Sequence, residues 1–158
     1  MTSPAERSDP TDRERHAAGM RTRRQVLGDA HVDRAVAATT DFTADFQDLI
    51  TRYAWGEIWR RDGLDRRTRR LIVLALLAAH GHQAELAMHL RAALRDGQDD
   101  RLSPDEVKEV LLQVAIYAGV PTANTAFATA SAVLAEAAPE GRPAPDQHQG
   151  ASDDAGAD

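Results

Sequence analysis

The chain contains no cysteine. Disulfides, thiolate catalysis and cysteine-based zinc sites are therefore excluded, while the compartment stays open. Aromatic residues are scarce at 4%, and five of the seven fall between Phe42 and Trp59. No segment has the length and apolarity of a membrane span. The N-terminal stretch "MTSPAERSDPTDRERHAAG" lacks the apolar core of a secretory signal. A soluble cytoplasmic protein with no membrane partner is the expectation. A strong field of one sign is also missing from the interior. The net charge is -6, but residues 139–158 hold five acids against one arginine, and residues 19–138 hold sixteen acids against fifteen basic residues. Without a basic surface or spread aromatic stacking partners, nucleic acid is not an expected partner.

What is present suits one domain: 158 residues, 42% of them hydrophobic. Both ends are polar and rich in Pro, Gly and Asp, so residues 1–18 and 139–158 read as disordered tails around a domain at 19–138. The interior reads as helices, and the fold class is all-α. A short pair covers about Met20–Leu27 and Asp29–Thr39. Phe42, Phe46, Leu49, Ile50 and Tyr53 then form a helical stripe running toward Trp59, closed at Asp62-Gly63. Asp65 caps the next helix, whose second half "LIVLALLAA" is apolar all round and reads as a centrally buried element. "SPDE" at Ser103–Glu106 is a capping box with proline in the first turn. It opens a helix with Val107, Val110, Leu111, Val114 and Ala118 inward. Gly119 ends that helix, and Pro121 opens a last one with Ala123, Ala126, Phe127, Ala130 and Val133 or Leu134 inward.

Three features can carry chemistry. His89 shares a helical face with Leu86, Leu90 and Ala93. From spacing alone it is either a satisfied core histidine or a functional group, with Glu85 one turn earlier to fix its tautomer. His82, Glu85 and His89 also form a one-helix ligand pattern, but no fourth ligand is evident, and a metal is not expected. Glu57 continues the stripe of Phe46, Ile50 and Tyr53, where a carboxylate must be paired, hydrogen-bonded or protonated unless it reaches solvent at the helix end. Finally, "RRDGLDRRTRR" places Arg60, Arg61, Arg66, Arg67, Arg69 and Arg70 within eleven residues. The last four stand at a helix N-terminus, where the macrodipole disfavours cations by ~0.3–1 kcal/mol. Salt bridges or a bound anion must compensate.

Together these segments resemble the γ-carboxymuconolactone decarboxylase family. The phrases "YAWGEIW", "GLDRRTR", "AMHLRAAL" and "YAGVPTANTAF" carry the resemblance, which runs from about Gly19 to Ala135. It implies an alkylhydroperoxidase D-like helical bundle that assembles as a homo-oligomeric ring, a trimer or hexamer. The implied reaction is decarboxylation of a small dicarboxylate lactone, 4-carboxymuconolactone, to 3-oxoadipate enol-lactone in protocatechuate catabolism by the β-ketoadipate pathway, with no cofactor. Redox members of that superfamily carry C-x-x-C-x-x-x-H. Aligned on its histidine, the motif falls on His82, Glu85 and His89, so both redox positions are replaced and the histidine remains.

The implied chemistry assigns tasks to the residues. The electrons of the departing carboxylate flow through the ring C=C into the lactone carbonyl, so the substrate is its own electron sink. The protein must hold a dianion, steady oxyanion charge and supply a proton. His89 and Glu57 are the expected catalytic groups; Arg66, Arg67, Arg69, Arg70, Glu85 and His82 are the expected substrate-binding ones. The alternative is a non-catalytic relative that binds a small anion or serves assembly.

Overall fold

The computed structural model describes residues 10–137. These form seven α-helices, and no strand occurs among them: α1 Asp12–Leu27, α2 Asp29–Ala37, α3 Asp41–Ile50, α4 Arg66–Ala79, α5 Gln83–Leu94, α6 Pro104–Ala118 and α7 Val120–Ala137. A π-helical turn, Thr51–Trp55, extends α3, and a 3-10 turn, Ile58–Arg60, follows it. No helix among the described residues is long and apolar enough to cross a membrane. The proposed tail at 139–158 lies outside the described residues.

Local signals set most boundaries. Asp65 accepts the Thr68 N–H and starts α4. Ser103 and Glu106 cap α6 reciprocally, with Pro104 in its first turn. The start of α1 departs from the sequence reading. Thr11 and Glu14 form a capping box that starts this helix at Asp12, well before Met20 and inside the stretch read as a tail.

Two apolar clusters divide the molecule. The larger joins α4, α5, α6 and α7 through Leu74, Ala78, Leu86, Leu90, Leu111 and Ala126, among others. The smaller joins the end of α1, α2 and the π turn to α5 through Val26, Leu27, Val32, Trp55 and Ala92. Helix α5 therefore serves both, with Leu86, Leu90 and Ala93 on one side and Met88 and Ala92 on the other. The expected inner faces of α6 and α7 are largely as read: Val107, Leu111, Val114, Ala123, Ala126, Ala130 and Val133 are buried. Helix α4 is not buried all round, because Ile72 and Leu76 remain exposed.

The smaller layer depends on close backbone approach. A Cβ on Gly19 of α1 would overlap the Thr51 carbonyl oxygen, and one on Gly56 would overlap the carbonyl oxygens of Arg15 and Arg52. Glycine at both places lets α1 rest directly on the π turn. That contact fixes the position of α1, and with it Arg23 and the turn into α2, relative to α5.

Candidate active site

His89 lies on α5 between the two apolar clusters, half-buried beside the fully buried Leu90. Burial lowers its pKa to about 4; the Arg70 guanidinium and His31 push the same way, and Glu85 opposes them weakly. The imidazole is therefore neutral at neutral pH, with one N–H donor and one acceptor nitrogen.

Arg70 is the member of the arginine cluster that the fold brings to His89. Its side chain is buried inside α4, with Nε donating to Asp100 Oδ2 at 3.0 Å. Nη2 donates to Gln98 Oε1 at 2.8 Å and to the Val26 carbonyl at 3.2 Å. Nη1 is buried and has no partner among the described residues. A buried N–H without an acceptor costs about 1–3 kcal/mol, a cost that an anionic ligand would remove.

Three other arginines of the cluster, Arg66, Arg67 and Arg69, have internal partners. Arg66 donates to Gln25 Oε1 at 2.9 Å and lies 3.8 Å from Asp100. Arg67 pairs with Glu106 and donates to the Arg101 carbonyl. Arg69 donates to the Arg61 carbonyl at 2.8 Å, although its Nε is buried without a partner among the described residues. Salt bridges and backbone caps thus offset the unfavourable placement of Arg66 and Arg67 at the start of α4.

Two groups that sequence reasoning missed complete the surroundings. His31 of α2 is half-buried, and burial with the charges of Arg23 and Arg34 lowers its pKa. Arg23 of α1 is buried; its Nη1 donates to Gln47 Oε1 at 3.0 Å and its Nε has no partner among the described residues. Burial lowers its pKa as well. The only signal in the sequence was an arginine inside a short helix, which is unremarkable until α1 packs beside α5. The site is thus electropositive: two buried guanidiniums, each with a nitrogen unpaired among the described residues, and two half-buried imidazoles whose pKa values burial lowers.

Glu57 requires a correction. The Gly56 N–H bonds to the Thr51 carbonyl at 2.9 Å, five residues back, so the π turn inserts one residue into the helical register. Glu57 then leaves the stripe and is exposed. It makes no side-chain hydrogen bond or ion pair among the described residues, and it is not among the charges acting on His89. The stripe itself is exposed too: Phe42, Phe46, Leu49 and Tyr53 all face solvent. Trp55 is the inward residue of this segment and stacks on Trp59 at 5.1 Å. His82 is exposed at the cap position of α5, its ring 6.0 Å from that of His80. Glu85 is exposed as well. Among the described residues no three acidic or imidazole side chains converge as a metal site, so His82, Glu85 and His89 do not form one.

The sequence pattern of the carboxymuconolactone decarboxylase family matches residues 44–132, from α3 into α7. A 4-carboxymuconolactone decarboxylase of Acinetobacter baylyi is 44% identical over 123 residues, which cover 78% of this chain and 89% of that protein. A nitrosuccinic acid decarboxylase of Metarhizium robertsii is 38% identical over 119 residues, covering 73% and 80%. A 4-carboxymuconolactone decarboxylase of Pseudomonas putida is 52% identical over 46 residues, 29% of this chain and 96% of that sequence.

The state of His89 has a consequence for stability. Its pKa lies below the value of 6.5 that an unburied imidazole shows. As the pH falls from there toward 4, the unfolded chain takes up a proton that the native one refuses, so stability falls across that window. A shift of this size is worth about 2–3 kcal/mol at pH 4.5. Urea unfolding at pH 7 and pH 4.5 is expected to show that loss in the wild type and to show it smaller by about 2 kcal/mol in His89→Gln. Equal losses in the two proteins would mean that His89 titrates normally.

Proposed function

The chain belongs to the carboxymuconolactone decarboxylase family, and we propose from this premise that it converts 4-carboxymuconolactone to 3-oxoadipate enol-lactone by loss of CO2. The observation that carries the reading is a half-buried His89 kept neutral by burial and by the charge of Arg70, whose own Nη1 is buried with no partner among the described residues. The carboxylate on the γ-carbon leaves as CO2. Its electron pair forms a new ring double bond, the existing one shifts, and negative charge gathers on the lactone carbonyl oxygen. A proton from water then adds at the α-carbon, giving the enol-lactone with its acetate arm intact.

In this scheme His89 donates its N–H to the carbonyl oxygen as charge develops there. A neutral imidazole is a poor proton donor to carbon but a good fixed hydrogen-bond donor to a developing oxyanion. Arg70, held on three sides by Asp100, Gln98 and the Val26 carbonyl, has little freedom to reorganise and offers Nη1 to the same charge. Glu85, one turn before His89, limits the depression of its pKa. The scheme requires no cofactor, because the conjugated lactone accepts the electrons itself.

We further propose that the protein works as a homo-oligomer, a trimer or hexamer, in the cytoplasm. The support for assembly is the apolar surface that one chain leaves open. Phe42 is 96% exposed, and Ile116 and Tyr117 at the end of α6 are 79% and 81% exposed. Val120 and Leu112 extend the second patch, and such clusters mark contact surfaces.

Two outcomes test these readings. His89→Ala is expected to lower kcat for carboxymuconolactone by about 100- to 1,000-fold, the effect of removing one preorganised donor to an oxyanion. Loss of the lactone's ultraviolet absorbance reads the rate, and a variant within threefold of wild type would refute the role. Light scattering is expected to give a mass of three or six chains of 17.2 kDa. Tyr117→Glu is expected to shift that mass toward the single chain; a wild-type protein that is monomeric at micromolar concentration contradicts assembly.

A further inference from the structure

The reaction leaves one carboxylate untouched. The acetate arm of the lactone stays charged from substrate to product, so it has to be held equally well in both. Such a contact belongs beside the reacting centre rather than in it. Within the proposed scheme Arg70 and His89 attend to the ring, and Arg66 and Arg67 are already paired with Asp100 and Glu106. The arm requires cations of its own.

A groove of about 400 Å³ runs between α2 and α5. It is of a size for a small organic acid. Leu27, Met88 and Ala92 give it an apolar floor, and Arg34, Arg91 and Arg95 stand around it. No carboxylate is among its lining residues. Arg91 is held bidentately by Glu136 at 2.8 and 2.9 Å. Arg34 and Arg95 form no ion pair with any acid among the described residues, although Asp96 beside Arg95 pairs with Arg101. The backbone makes room for one of them: Gly28 has φ +91°, and a Cβ there would overlap the Arg95 Nη1.

The groove adjoins the proposed site. His31 lines it, the charge of Arg34 acts on His31, and His31 in turn acts on His89. Met88 and Ala92 of its floor flank His89 on α5.

We infer that Arg34 and Arg95 grip the carboxylate that the reaction retains, so that the groove between α2 and α5 selects lactones bearing an anionic arm. This rests on the decarboxylase reading for the identity of the ligand. Substrate choice then lies in α2 and the C-terminal half of α5, apart from the groups that promote loss of CO2. A relative that acts on another carboxylic acid need differ only there.

The test reads binding, not turnover, so it is independent of the rate of His89→Ala. The probe is the butenolide that carries the acetate arm but hydrogen in place of the γ-carboxylate; its methyl ester lacks only the charge. Both tryptophans, Trp55 and Trp59, pack in the cluster that contains Leu27, Met88 and Ala92, so tryptophan fluorescence reports on the groove, and calorimetry provides a second measure. The wild type is expected to bind the acid saturably and the ester at least tenfold more weakly. Arg34→Gln/Arg95→Gln is expected to weaken the acid at least tenfold and to leave the ester unchanged. Arg34→Gln alone, on the exposed side of α2, is expected to weaken the acid at least threefold; it covers the case in which losing Arg95 from Gly28 disturbs the α1–α2 turn. A double variant that binds the acid as tightly as wild type overturns the inference, as does an ester that binds the wild type as tightly as the acid. Absence of saturable acid binding to the wild type overturns it too.

Discussion

The buried guanidinium of Arg70 is the interaction on which the site depends. One side chain from α4 reaches the end of α1 through the Val26 carbonyl and the loop before α6 through Gln98 and Asp100. It thereby ties the two apolar layers together at the point where α5 passes between them. Removing one partner of a buried ion pair costs roughly 3–5 kcal/mol, because the other charge is left uncompensated. The same charge helps keep the His89 imidazole neutral. Structure and chemistry therefore share a residue, and its remaining N–H points to what the fold alone does not satisfy.

The two-layer arrangement explains why the site is partly desolvated and positive. The α4–α7 cluster is the larger, and α1, α2 and the π turn cover one side of α5. Gly19 and Gly56 let this cover lie close, and its approach carries Arg23 and His31 inward. Desolvation then lowers the pKa of His89, His31 and Arg23. The family's decarboxylase relatives name different acids, 4-carboxymuconolactone and nitrosuccinic acid. A seam rich in cations is suited to anions in general.

Much of the fold was legible because it is written in local signals. The Asp65 and Ser103 caps, the Gly119 stop and the inward faces of α6 and α7 depend on neighbours three or four residues away. Features that depend on distant packing were not legible. The π turn at Thr51–Trp55 leaves no mark in hydrophobic periodicity, so Glu57 was counted one register too far and assigned to an apolar face that is exposed. Periodicity also cannot tell a core face from a surface that one chain leaves open, so the Phe42–Tyr53 stripe carries no sign of its exposure, and Ile72 and Leu76 of α4 read as buried. Within the arginine cluster the sequence indicated that some acid or anion must compensate. Only the fold separates Arg67, paired with Glu106, from Arg70, whose buried Nη1 has no partner among the described residues and whose charge acts on His89. His31 and Arg23 lie some sixty residues before His89, and nothing local connects them to it.

The central claim is that burial and the neighbouring cations hold His89 neutral, so that it steadies charge and does not deliver a proton. Titrating the His89 ring by nuclear magnetic resonance in the full-length protein, with His89→Gln to assign its signal, tests this most directly. The account predicts a midpoint near 4, with the ring neutral across the physiological range. A midpoint at 6.5 or above would make His89 an imidazolium-forming acid and contradict the account.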